Sequence, residues 1–245
     1  SGDGIEQDSE AALDWIESAA EQGLLEAQVI AASMIYLGEG CDADEEAAAH
    51  WFMQAAEAGD VDSQYTIARM MHGDSGLDLD LRGSLYWFNR AAEQGHIEAA
   101  LELGKTLFSG QVVQKDDALA ARYFLQAAEG GNAEAAEALG LMLCHGSGVV
   151  EDKAEALRWL EQAAEQGSDE MFVCHTIAEL YLNGGKGIKR DPAAAATWFR
   201  RAAERGNRKS AEQLALMCLT GDGVQLDEEE AQFWFQRAEA LQGAR

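Results

Sequence analysis

Five histidines (His50, His72, His96, His145, His175) and four cysteines (Cys41, Cys144, Cys174, Cys218) are the side chains best suited to metal or redox chemistry. They adjoin twice, as Cys144-His145 and Cys174-His175, a combination that invites a zinc reading. The helical pattern developed below puts Cys144 near the end of one helix and Cys174 near the start of a later one. About eight helical residues, roughly 12 Å of rise, and a helix spacing of about 10 Å then separate them. Ligands of one zinc ion each sit about 2 Å from it, so no metal site is expected. Four cysteines allow three pairings and nothing local favours any of them. They read as free, buried, small hydrophobes.

Phosphate chemistry is the next possibility. Glycine-rich runs occur at Gly38-Glu39-Gly40, Gly146-Ser147-Gly148, Gly184-Gly185-Lys186-Gly187 and Gly221-Asp222-Gly223. None belongs to a GxxxxGK[ST] sequence and none follows a strand pattern, so they are turns. Carboxylates are abundant, with 44 Asp and Glu, yet no nucleophile, base and orienting group fall into a set. Neither an enzyme nor a cofactor is expected.

Charge narrows the partners. The 245 residues carry 18 Lys and Arg against 44 Asp and Glu, a net charge of −26. Such a field disfavours binding to phosphate backbones and anionic lipid, so no nucleic acid is expected. No apolar run reaches the eighteen or so residues of a membrane helix, so no membrane insertion is expected. Residues 1–100 hold 21 acids and 3 bases, whereas residues 186–209 hold 8 bases and 2 acids. This asymmetry reads as a basic docking patch beside an acidic groove that steers a basic partner. The first residue is not Met, so the compartment stays open between the bacterial periplasm, after removal of a signal, and the cytoplasm.

The elements that position these groups follow from a repeat. Trp15, Trp51, Trp87, Tyr123, Trp159, Trp198 and Trp234 are separated by 36, 36, 36, 36, 39 and 36 residues. Taking each aromatic as zero, alanine pairs follow at plus four and five, from Ala19-Ala20 to Ala202-Ala203. Glycine follows at plus eight, from Gly23 to Gly206. Asp stands seven residues before every aromatic, at Asp8, Asp44, Asp80, Asp116, Asp152, Asp191 and Asp227. Its carboxylate can accept from the unpaired N–H groups of a first helical turn, which makes it an N-cap. Pro192 then occupies the first helical position, where a missing N–H costs nothing. Glycine at plus eight supplies the left-handed C-terminal cap.

Small residues at minus three, the ring at zero, a bulky apolar residue at plus one and the alanine pair form one face of a 3.6-residue helix. A second helix carries an apolar-small pair at plus 16 and 17: Ala31-Ala32, Ile67-Ala68, Leu103-Gly104, Leu139-Gly140 and Leu214-Ala215. In the fifth unit the pair moves to Ile177-Ala178. That unit is three residues longer, with additions near 168–173 and in the 184–187 turn, and insertions in solenoids collect in loops on one face.

The run Trp51-Phe52-Met53-Gln54-Ala55-Ala56-Glu57-Ala58-Gly59, with the Gly-x-Gly turns and the 36-residue period, resembles the Sel-1-like repeat (SLR) family, relatives of tetratricopeptide repeats. The resemblance implies an all-α fold, a right-handed α/α superhelix of six helix-turn-helix repeats over 8–226. An N-terminal tail over 1–7 and a C-terminal capping helix over 227–245 complete that reading. Glu239 and Gly243 depart from the repeat there, as a polar terminal cap requires.

The resemblance also implies a non-catalytic scaffold or adaptor that binds another protein through the solenoid surface. A narrower alternative is an immunity protein that neutralises a secreted toxin or effector by tight binding. A second alternative is a cell-envelope module that binds glycans. In tetratricopeptide-like solenoids the first helices line the concave surface, and positions minus one, plus two and plus three point away from the apolar stripe. The candidate protein-binding residues are therefore His50, Met53, Tyr86, Asn89, Arg90, Arg122, Leu125, Arg158, Glu161, Arg200, Arg201 and Phe233.

Overall fold

The computed structural model describes residues 8–74, 79–168 and 170–242. Two compact units divide the chain, Ser1–Gln114 and Lys115–Arg245. The first holds α1 (Ser9–Glu21), α2 (Leu25–Leu37), α3 (Glu45–Glu57), α4 (Val61–Arg69), α5 (Leu81–Glu93) and α6 (Ile97–Ser109). The second holds α7 (Asp117–Glu129), α8 (Ala133–His145), α9 (Lys153–Glu165), α10 (Glu170–Asn183), α11 (Pro192–Glu204), α12 (Arg208–Thr220) and α13 (Glu228–Gln242). Among the described residues there is no strand, and one isolated bridge joins Gly185 and Ile188. Within each unit every helix packs on the next in sequence. The architecture is all-α, in consecutive packed pairs.

The caps form where their residue types require. Each of the seven Asp residues accepts from a first-turn backbone N–H at 2.9–3.0 Å, from Ala11 for Asp8 to Glu230 for Asp227. The six glycines at plus eight all take positive φ, from 84° at Gly23 to 105° at Gly59. These two signals set both ends of α1, α3, α5, α7, α9 and α11. The tail over 1–7 and Gly243 lie outside the described residues.

The core is the periodic stripe. Ala48, Ala55, Ala91, Ala120, Ala127, Ala156, Ala163, Ala195 and Ala202 are fully buried, at 0% exposure. The second-helix pairs are buried as well, with Ile177 and Ala178 in the shifted register. Gly140 shows why a small residue stands in that pair: a Cβ there would lie 2.7 Å from Leu160 Cγ. In the second unit Phe199, Leu214, Met217, Cys218 and Trp234 share one cluster, and Leu160, Val173, Ile177 and Ile188 another. Dispersion and apolar burial at this density hold neighbouring hairpins together, because none of them can bury its stripe alone.

Several positions differ from the periodic expectation. Trp51, Trp87 and Trp234 are buried, but Trp15 is 78% exposed because no described helix covers that face of α1. Cys41 is exposed and Cys144 half-buried, so the cysteine reading as buried hydrophobes is correct only for Cys174 and Cys218. None of the four cysteines forms a disulfide. The second helix of the second repeat breaks after α4 into a π-helical turn, Met70–Asp74, in which Gly73 reaches φ 104°. Among the described residues no helix is long and apolar enough to cross a membrane.

Candidate functional site

The first helices present three columns. Position minus one is exposed in all seven: Asp14, His50, Tyr86, Arg122, Arg158, Thr197 and Phe233. Tyr86 and Phe233 are each 54% exposed, edge-on to Trp87 and Trp234 at 5.0 Å. Plus two and plus three are mostly half-buried, Met53, Asn89, Arg90, Leu125, Glu161, Arg200 and Arg201 among them. Part of the difference has a mechanical cause: Glu161, Arg200 and Arg201 reach neighbouring helices.

Position plus three acts as a strut. Gln162 Nε2 donates to the Ala128 carbonyl at 3.3 Å, and an Arg201 guanidinium N–H donates to Ala164 at 3.1 Å. Arg237 reaches Ala203 at 3.3 Å and Glu204 at 2.8 Å. In the first unit Gln54 at plus three accepts from Gln28, and Gln94, at plus seven, donates to Gln64 at 2.8 Å. Buried Gln28 and Gln64 in turn donate to the Ala20 and Ala56 carbonyls. The carbonyls met by Gln162, Arg201, Arg237, Gln28 and Gln64 end first helices, where the helix itself supplies no donor. The glutamine signal was readable, as recurring Gln at plus three and plus 13, but only the structure shows its targets.

Position plus two is engaged as well. Glu161 accepts from the Tyr181 hydroxyl at 2.6 Å, which with burial pushes the phenol up to about 12. Arg200 pairs with Glu230, which also accepts from Trp234 Nε1 at 3.1 Å. These donors hold the Glu230 carboxyl below the usual carboxylate range. Within α5, Asn89 donates to Glu93 at 2.8 Å, and Arg90, at plus three, donates to Tyr86 at 3.2 Å while lying over the Trp87 ring. Thus His50 and Tyr86 in the first unit, and Arg122, Arg158 and Phe233 in the second, are the candidates on the fully exposed column.

The basic stretch 186–209 does not form one patch. Lys186, Lys189 and Arg190 lie before α11, and Arg205, Arg208 and Lys209 lie after it, a separation of about 20 Å for thirteen residues of helix. Arg190 pairs with Asp222 and Arg208 with Glu212.

One further cavity was not foreseen. A pocket of about 310 Å³ in the first unit is lined by Tyr65, Arg69, His72, Phe88 and Glu102. Tyr65 stacks on His96 at 4.3 Å under the Arg69 guanidinium, and burial pushes its phenol up. His72 Nδ1 stands 3.4 Å from Ser84 Oγ. Glu102 pairs with Lys105 at 3.3 Å. The signal was a departure from the repeat. Position plus 14 is Val29 and Leu101 in the flanking units but Tyr65 here, and plus 18 is Ser33 and Lys105 but Arg69 here. The lining brings opposite charges and rings together. Among the described residues no His, Cys, Asp and Glu group has metal-site geometry.

The helix pairs, caps and struts are those of a helical repeat scaffold, and comparison with known proteins identifies which. The Sel1 repeat pattern matches residues 1–24, 25–60, 61–96, 97–132, 133–168, 174–207 and 209–242. The chain belongs to the Sel1 repeat family, and its fold is the Sel1-type solenoid of stacked hairpins. Six of the seven matches join a second helix to the first helix that follows, as α2 to α3. A protective antigen of uropathogenic Escherichia coli with an SLR fold is similar at 28% identity and a TM-score of 0.81, over 98% of this chain and 51% of that one. The chain therefore spans about half the length of that antigen. A Sel1 repeat protein from Oxalobacter formigenes is similar at 28% identity and a TM-score of 0.65, over 98% of this chain and 68% of that one. No curated protein matches the sequence. Sel1 repeat proteins mediate protein–protein interaction and are typically non-catalytic.

Proposed function

We propose that this chain is a non-catalytic scaffold that binds a protein partner along the exposed column of its first helices. The observation that carries the proposal is that minus one is exposed in all seven first helices, while Gln162, Arg201 and Arg237 at plus three are tied into the repeat stack. A column free of packing duty can vary its residues without harming the fold, and aromatic and arginine side chains there are the usual anchors of an interface. Tyr86 with half-buried Met53 supplies the apolar anchor in the first unit, and Phe233, Arg122 and Arg158 serve in the second. The partner is a basic protein, since residues 1–68 contain no Lys or Arg and the chain carries −26.

The test begins with affinity capture from the native organism and mass spectrometry to obtain the partner. Met53→Asp with Tyr86→Asp is expected to weaken its binding at least tenfold with far-ultraviolet circular dichroism unchanged, and association should slow as salt rises. Unaltered affinity in the double variant would remove the column as the interface. A salt-independent association rate would remove the basic partner.

A further inference from the structure

We propose that the turn over residues 184–190 is a second docking site, which takes an acidic, apolar-bearing segment of another protein. It is independent of the first-helix column. The turn belongs to the unit that is three residues longer than its sisters, so the repeat alone does not require its shape. It is firmly built. Gly185 and Ile188 exchange backbone hydrogen bonds at 2.9 and 3.1 Å, and Asp191 N–H donates to the Tyr181 carbonyl at 2.9 Å. Ile188 is 7% exposed and belongs to the second unit's core cluster. Arg190 bridges to Asp222 and so ties this turn to the next closing turn, which carries Leu226 at 60% exposure.

On this frame Lys186 and Lys189 are exposed, and neither forms an ion pair among the described residues. Of the other four lysines, Lys105, Lys115 and Lys153 each have a carboxylate within 3.3 Å, and Lys209 at the start of α12 forms no ion pair among the described residues. In a protein of net charge −26, two lysines held on a rigid turn without acids of their own are a local exception to the field. Ammonium groups on a built turn, joined through Arg190 and Asp222 to a turn that carries an exposed leucine, match a ligand that offers carboxylates flanking an apolar side chain. The contact is short-ranged: beyond a Debye length of about 8 Å at physiological salt the acidic remainder of the molecule is screened.

The probe is a fluorescein-labelled peptide of sequence Glu-Glu-Asp-Phe-Glu-Leu-Glu, titrated with the full chain and followed by anisotropy in about 150 mM salt. Saturable binding is expected. Lys186→Glu with Lys189→Glu should weaken it at least tenfold, and so should the milder pair Lys186→Gln with Lys189→Gln, with unchanged circular dichroism. Lys209→Glu, at the far end of α12, should leave it intact, as should Met53→Asp with Tyr86→Asp, which separates this site from the first-helix column. Absence of saturation, or equal loss with Lys209→Glu, would overturn the proposal. So would a concentration-dependent dimer in sedimentation that the Lys186→Glu, Lys189→Glu pair abolishes, because a second copy would then be the occupant.

Discussion

Replacing Gly148 by alanine probes how each closing turn locks onto its own hairpin. Gly148 has φ 70°, and a Cβ there would meet the Asp117 backbone and stand 2.6 Å from Ala118 N, at the start of α7. Gly40 meets Ser9 of α1 and Gly223 meets Pro192 of α11 in the same way. Gly167 is the control, with φ 88° but nothing within 4 Å of its Cβ position. Left-handed backbone costs an L-residue about 1–2 kcal/mol, and this is the whole expected effect of Gly167→Ala. Gly148→Ala adds a collision with backbone that cannot rotate away, about 1–3 kcal/mol more, for a total of about 2–5 kcal/mol. In a chain of this size 1 kcal/mol moves Tm by about 2–4 °C. Gly148→Ala should thus lower Tm about 1.5 to 4 times as far as Gly167→Ala, read by circular dichroism with urea midpoints in parallel. Equal shifts in the two variants would refute the close approach of turn and helix.

Three further outcomes follow from side-chain contacts. Arg201→Ala removes the strut to the Ala164 carbonyl and should cost about 1–2 kcal/mol in urea melts, while partner affinity stays within twofold; lost affinity with unchanged stability would make Arg201 an interface residue instead. Burial holds the His175 pKa below its ordinary value, against a smaller opposing pull from Glu179 and with Lys209 reinforcing it. The unfolded chain therefore binds the proton first: the full stability is present above about pH 6.5 and is lost as pH falls toward the lower folded pKa. The wild type should lose more Tm between pH 7.5 and 5.5 than His175→Asn, which can keep a hydrogen bond to Ser210; parallel curves would contradict this. Glu230 has the opposite origin but the same direction in pH, since its depressed carboxyl contributes above the unfolded pKa and loses that contribution as pH falls through the folded one. Glu230→Gln should flatten the acid side of the Tm profile, and an unchanged acid limb would show that the Arg200 contact adds nothing.

Local signals were legible because each is short-ranged. An Asp that accepts from an N–H three residues on, or a glycine in a left-handed cap, depends on its own turn alone. Hence Asp8 to Asp227 and Gly23 to Gly206 could be placed from spacing. The alanine pairs and the shifted Ile177-Ala178 pair were equally clear, because burial follows the 3.6-residue period. The exposed column at minus one followed from the same period. The half-burial of plus two and plus three did not, because it depends on the reach of Arg and Gln side chains to the repeat beside them.

The sequence by itself determined the hairpin unit, its caps, its core stripe and the net charge of −26. Tertiary structure alone decided which polar residues are struts, that the 186–209 bases divide between two ends of α11, and that Tyr65, Arg69, His72 and Glu102 share a pocket with Phe88. The physical reason is range. A cap or a stripe is settled within one helix, whereas a strut, a patch or a pocket exists only once residues some thirty positions apart have been stacked side by side.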